Sequence, residues 1–461
     1  MFRHTTIALA VLASSAAPMS AMAADSSDLQ QIRQEIDQLR QGYEARIREL
    51  ESRLQQAEKN ADQARQTAVS TAEKVAASPV VAAPSAPAAN GFNPDISLIL
   101  SGQYANLSKD PEKWKMSNFI PGGDEIGPGK RGFNLGESEL GFSASVDQLF
   151  RGQLTLSVTG DNSIEAEEGF VQSTSLPAGF QTTAGRFFSG IGYLNSQHSH
   201  TWDFVDAPLA YQAFLGGQFK QDGVQMKWVA PTSTFVELGA DLGAGENFPG
   251  STRNKNGAGA TALFAHVGGD VGASHSWRAG AGWLRTAPRD RSYDAEDLAG
   301  NTVTNSFSGT SRLWLLDGVW KWAPNGNGER INLKLQGEYF RRHENGELAY
   351  DTASQNLTDS YRSAQSGWYL QSVFQFMPRW RVGARYDQLS PGRVDYASNE
   401  AYFVNTGYKP TRSTLMLDWS PSEFSRIRLQ YAQDKAREGV RDDQIYLQYQ
   451  MSLGAHGAHS F

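Results

Sequence analysis

The chain has 461 residues, no cysteine, 45 glycines and 11% aromatic residues; 42 Lys+Arg against 49 Asp+Glu give a net charge of −7. The missing cysteine excludes disulfides, thiolate metal sites and cysteine nucleophiles, and the acidic balance removes the electrostatic case for binding nucleic acid. A mean hydropathy of −0.48, rich glycine and many aromatic residues suit a transmembrane β-barrel, whose strands are only half apolar.

The chain opens with Arg3, His4, an apolar run over 7–17, and Ala21-Met22-Ala23, a small-x-small cleavage pattern. Residues 1–23 are expected to be a secretory signal peptide, because the apolar run is too short for a membrane anchor. Over 25–77, Leu29, Ile32, Ile36, Leu39, Tyr43, Ile47, Leu50 and Leu54 begin a seam that alanines continue to Val75. Spacings of three and four predict an α-helical coiled coil with one stutter at 43–47. A partner chain is expected over that seam, the alternative being a solvated helix that does not associate. Residues 78–91, with Pro79, Pro84 and Pro87 among Ala and Ser, read as a semi-rigid linker.

From Ile96 the period changes to two. Leu154, Leu156 and Val158 alternate with Gln153, Thr155 and Ser157, and Ile427, Leu429 and Tyr431 alternate with Arg426, Arg428 and Gln430. Such alternation marks strands with one apolar face. A soluble sandwich would alternate too, but here the polar faces carry full charges and Trp or Tyr sits near strand ends. A lipid-facing exterior around a wet interior explains both. The prediction is all-β: a 16-stranded antiparallel transmembrane β-barrel over 92–461. Tight turns alternate with long polar segments at 108–135, 189–220, 245–257, 288–309, 344–365 and 391–410. That asymmetry is expected of short periplasmic turns and long outer loops.

The strand near 163–174 breaks the pattern, because Glu165, Glu167 and Glu168 put charge on both faces of a straight strand. Either a bulge shifts its register or the face meets another subunit. The subunit interface is the expectation taken.

Segment 189–220 carries Tyr193, Leu194, Trp202, Phe204, Leu209, Tyr211 and Phe214, too apolar for a free outer loop. It is expected to fold inward against the barrel wall. Parity puts Lys334, Arg381, Arg385, Arg426 and Arg428 on wet faces of one group of strands. Glu137, Glu139, Glu165, Glu167, Glu237 and Asp241 lie on wet faces of another group. Set on opposite walls, these charges would make a transverse field across a pore. The other reading is local pairing, Arg385 with Asp387 or Lys334 with Glu338.

In this arrangement the chain resembles the sixteen-stranded porins, whose third loop folds into the lumen and forms the constriction. That resemblance covers 92–461 and implies a homotrimer, with Trp202 and the wet-face charges at the pore. More narrowly, Gly132-Phe133-Asn134-Leu135-Gly136-Glu137-Ser138-Glu139-Leu140, Glu168-Gly169-Phe170-Val171-Gln172 and Gly185-Arg186-Phe187-Phe188-Ser189-Gly190-Ile191-Gly192 are similar to proteobacterial zinc-regulated porins. That group lies near the phosphate-selective porin superfamily. The coiled coil ahead of a barrel resembles dicarboxylate-type porins, and the terminal Phe461 resembles the signal read by the barrel-assembly machinery.

His198-x-His200 with Asp203 and Asp206 has the residue types to ligate a divalent metal, zinc being the cation that imidazole and carboxylate suit. Ordinary polar loop residues are the alternative. No other cofactor is expected. No Gly-x-Ser-x-Gly element is present and no catalytic pair stands out, so an enzyme is not expected. The sequence therefore reads as a porin of a Gram-negative outer membrane, passing small hydrophilic solutes or ions, with the coiled coil in the periplasm. The competing readings are an energised metal receptor, whose ~22 strands would nearly exhaust the chain, and an envelope tether.

Overall fold

The computed structural model describes residues 94–454 apart from 121, 124–125, 159–162, 298–299 and 404. The expected signal peptide, coiled coil, linker and terminal Phe461 lie outside the described residues.

Sixteen antiparallel strands form one closed barrel. They are β1 (Asp95–Leu107), β2 (Gly132–Leu135 and Ser138–Ser145), β3 (Phe150–Val158), β4 (Ile164–Ser173), β5 (Phe180–Phe188), β6 (Lys220–Val229), β7 (Phe235–Gly243) and β8 (Ala260–Val271). Then follow β9 (His275–Thr286 and Arg291–Glu296), β10 (Thr302–Trp322), β11 (Asn332–Tyr350), β12 (Leu357–Met377), β13 (Trp380–Asp395), β14 (Thr411–Ser422), β15 (Ser425–Lys435) and β16 (Asp442–Gly454). Strands β2 and β9 each come in two pieces that pair with the same neighbour. The ring closes where β1 pairs with β16, from Ser97↔Gly454 to Leu107↔Gln444. Closure removes the two free edges of an open sheet, although β4 and β5 pair only from Gly169↔Arg186 to Gln172↔Thr183.

Alternation sorts the two faces. On β14, Leu415 (59% exposed), Leu417 and Trp419 point outward, while Arg412, Thr414 and Asp418 are buried inside. The outward row continues through Leu316, Leu370, Leu429 and Leu447 on β10, β12, β15 and β16. Trp380 and Trp419 stack at 5.7 Å near strand ends.

The wall is uneven in height. Strands β10 to β12 run 21, 19 and 21 residues, against 9, 10 and 9 for β3 to β5. The tall strands occupy much of 288–309 and 344–365, which the sequence reading gave to loops. Residues such as Glu344-Asn345-Gly346-Glu347 extend β11 with polar groups on both faces, so the apolar half of the period-two signal is missing there.

Strand β4 also differs from expectation. Its register slips against β3, so that Thr155 pairs with Glu168 and Leu156 with Ala166. This bulge absorbs one residue, and Glu167 and Glu168 are both buried inside. The expected subunit contact through Glu168 is therefore corrected: its carboxylate faces the lumen.

The largest apolar core sits inside the barrel, between the wall and the segment 189–219. Ile191, Leu194, Trp202, Leu209, Tyr211 and Phe214 pack on Phe264, Leu284, Leu313, Leu315, Phe340 and Leu389 of the wall. Within this loop, Leu209–Leu215 forms a short helix, α1, with every residue buried. Gly216 ends α1 in the left-handed region (φ 68°), which lets its N–H reach the Tyr211 carbonyl. Such a cap favours glycine because a Cβ is strained at positive φ. A Cβ there would also lie 2.8 Å from Cα of Gly123, in the segment between β1 and β2.

Candidate constriction site

The inward loop lies between two oppositely charged stretches of wall and carries the complementary charge to each. On the basic side, Asp203 takes Lys334 and Arg381 as ion-pair partners, the latter at 3.2 Å. Gln371 donates to the same carboxylate at 3.2 Å. Asp206 accepts from Arg385 at 2.9 Å and Gln430 at 2.9 Å, and pairs with Arg412 at 2.6 Å. The guanidinium groups also bind loop carbonyls: Arg426 donates to His200 O at 2.7 Å, Arg428 to Trp202 O at 2.7 Å and Arg385 to Asp206 O at 2.8 Å.

Burial alone would raise the Asp206 carboxyl, but Arg412 and Arg385 outweigh it and hold the group below the usual carboxylate range. Asp203 is buried likewise, and Lys334 and Arg381 hold it below the usual carboxylate range too.

Wall carboxylates receive the loop's backbone donors. Glu338 accepts from the N–H groups of Tyr193 at 3.2 Å and Leu194 at 3.1 Å, and from the Tyr211 and Tyr369 hydroxyls at 2.9 and 2.6 Å. Asp387 accepts the Leu209 N–H at 2.9 Å, serving an amide at the first turn of α1. Arg385 also bonds Asp387 at 3.1 Å.

On the acidic side, the turn at Ser199–Thr201 points two imidazoles at β2 and β4. Glu139 reaches His200 Nδ1 at 2.6 Å and His198 Nδ1 at 3.2 Å. Glu167 lies 3.0 Å from His198 Nδ1, and Glu168 3.0 Å from its Nε2. Ser199 donates to Glu137. Burial would lower the His198 imidazole, but its bonds to Glu139, Glu167 and Glu168 outweigh that and keep it well above its ordinary pKa.

Of the expected metal set, the fold brings His198 and His200 together and carries Asp203 and Asp206 to the basic wall instead. Those two aspartates are accordingly withdrawn as ligands, each being committed to two basic partners. Trp202 is buried, its Nε1 donating to Gln197 O at 2.9 Å. Glu237 bonds His266 Nδ1 at 2.9 Å, and Asp241 accepts from Ser189 Oγ at 2.5 Å. Glu165 is exposed and, with Glu137, His200, Arg186, Gln448 and Gln450, lines a lumenal cavity of about 950 Å³.

Sequence reading missed Arg412 and misplaced Glu168. Arg412 has the same inward parity as Thr414 and Asp418, which was its available signal. Charge on both faces of 163–174 offers the bulge that turns Glu168 inward as one of two readings, the other being the subunit interface.

Fold and site thus define a sixteen-stranded barrel narrowed by one inward loop that is ion-paired to its walls. The chain is 32% identical over 405 residues, 80% of each chain, to an uncharacterized protein of Aquifex aeolicus (strain VF5), and belongs to the same family as that protein. No protein-family model matches the chain. Similar solved structures include the loop L8 deletion mutant of OmpT, an outer membrane protein of Vibrio cholerae (TM-score 0.49, 11% identity, 78% of this chain and 99% of that chain). The outer membrane channel DcaP of Acinetobacter baumannii gives TM-score 0.48 and 12% identity, covering 78% and 97%. The anion-selective porin from Comamonas acidovorans gives TM-score 0.47 and 12% identity, covering 78% and 99%.

Proposed function

We propose that this chain is an outer-membrane porin through which small hydrophilic solutes or ions diffuse passively. The observation that supports it is the closed barrel with apolar residues outside and charged residues inside, around a loop that narrows the lumen without filling it. About 950 Å³ of polar-lined space remains beside the loop, room for several waters or a small solute. The likeness of 132–140, 168–172 and 185–192 to zinc-regulated porins adds divalent cations to the solutes considered. On the same reading the assembly is a homotrimer, and 25–77 lies in the periplasm.

Reconstitution in a planar bilayer tests this. The protein should give steady, ohmic conductance steps, and replacing 193–215 with a short glycine-serine link should raise the step size. Silence from a correctly folded barrel would favour the tether reading.

A further inference from the structure

We propose that Glu139, His198 and His200, together with Glu167, form a binding site for one divalent transition cation of the zinc type, which fastens the inward loop to the acidic wall. One nitrogen from each imidazole and one oxygen of Glu139 lie within 4.8 Å of one another. Glu137, Glu139 and Glu167 form a second such group that shares Glu139. The imidazole rings are stacked, 5.6 Å apart and inclined by 26°.

Three features favour an ion over hydrogen bonds alone. First, two carboxylate oxygens converge on His198 Nδ1, from Glu167 at 3.0 Å and Glu139 at 3.2 Å. A ring nitrogen carries at most one hydrogen, so it serves one of them well; a cation serves both. Second, Glu139, Glu167 and Glu168 are buried and Glu137 is half-buried. Four carboxyl groups thus gather around two imidazoles and the nearby Lys220, oxygen and nitrogen donors of the kind a divalent transition cation takes. Third, donors bound at ~2.0–2.2 Å in a tetrahedral site stand about 3.3 Å apart, and 2.6–3.2 Å already separates these pairs. These three pairs need to part by between about 0.1 and 0.7 Å.

Nitrogen with carboxylate oxygen, and no thiolate anywhere in the chain, suits zinc and its neighbours better than magnesium or calcium. Glu137, Ser199 and His200 also line the lumenal cavity, which gives an ion a way in.

Isothermal titration of the full-length, untagged protein in detergent with Zn²⁺ tests the site without requiring that the barrel conduct. Wild type should bind one Zn²⁺ with Kd at or below about 1 μM. His198→Ala/His200→Ala should weaken binding about 100-fold or more, and Glu139→Gln about 10-fold or more. His456→Ala/His459→Ala, which removes the histidines near the end of the sequence, should leave it unchanged. Binding that survives His198→Ala/His200→Ala, or no binding by wild type at 100-fold the expected Kd, overturns the proposal. Should the variants fail to fold, X-ray absorption of the zinc-loaded wild type decides: two imidazoles and carboxylate oxygen at ~2.0–2.2 Å support it, and a shell without imidazole overturns it.

Discussion

Asp206 shows how a charge that looks free for solute is used to hold a loop. It is 11% exposed and sits between Arg385 and Arg412, themselves 1% and 2% exposed. Removing one partner of a buried pair costs up to about 3–5 kcal/mol, less here because Asp387 stays 3.1 Å from Arg385 and 3.7 Å from Arg412. Asp206→Asn should therefore release part of 189–219 while the barrel stays folded. Limited proteolysis should cut the variant within the loop, and equal resistance of variant and wild type at pH 7 would sink the idea. The pH dependence follows from the same pairing. The Asp206 carboxyl titrates below its unfolded value near ~3.9. Its stabilisation is therefore complete above that pH and is lost only as pH falls through the lower folded value. The wild-type loop should resist protease at pH 5 as at pH 7, so loop release between those values would argue against these pairs as the fastening.

At the scale of elements, α1 is a seven-residue helix, too short to persist without tertiary contacts. Phe214 stacks on Phe340 at 6.0 Å and meets Phe119 edge-on at 5.9 Å. Phe214→Ala should cost the docked loop about 3–5 kcal/mol. In single-channel records that loss should appear as added flicker and a larger mean step, whereas unaltered traces would mean α1 does not bound the pore. The inward course of this loop was legible because Tyr193, Trp202, Tyr211 and Phe214 are too many apolar groups for a wet segment. Strand positions were legible wherever one face was apolar, as on β14 and β15. Strand length was not, because β11 and β12 extend past the apolar belt with polar residues on both faces. The β4 bulge was legible only as one of two alternatives, since charge on both faces fits a slipped register and a subunit contact equally, and a one-residue slip decides which way Glu168 points. Ion partners depend on long-range closure. Asp203 and Asp206 stand beside His200 in sequence, yet the loop crosses the lumen between them and delivers them to β11, β13 and β14.

For the whole molecule, the decisive matter is which solvent each face of the cylinder meets. The outward row of Leu316, Leu370, Leu415, Leu429 and Leu447, each between 48% and 59% exposed, is either a belt against lipid or the unusually greasy surface of a water-soluble barrel. These alternatives differ sharply at Leu415, 59% exposed near the middle of a twelve-residue strand. In water, an exposed Leu→Arg change is usually worth within about ±0.5 kcal/mol. At the midplane of a bilayer the same change on a barrel exterior costs about 2–4 kcal/mol, because the guanidinium must be desolvated or must distort the lipid. Leu415→Ala separates the loss of apolar surface from the added charge. Equilibrium unfolding in urea from phospholipid vesicles should therefore rank wild type above Leu415→Ala and place Leu415→Arg lowest, at least about 2 kcal/mol below wild type. If the arginine variant instead falls within 0.5 kcal/mol of wild type in vesicles, the exterior does not face lipid there and the porin reading loses its physical basis.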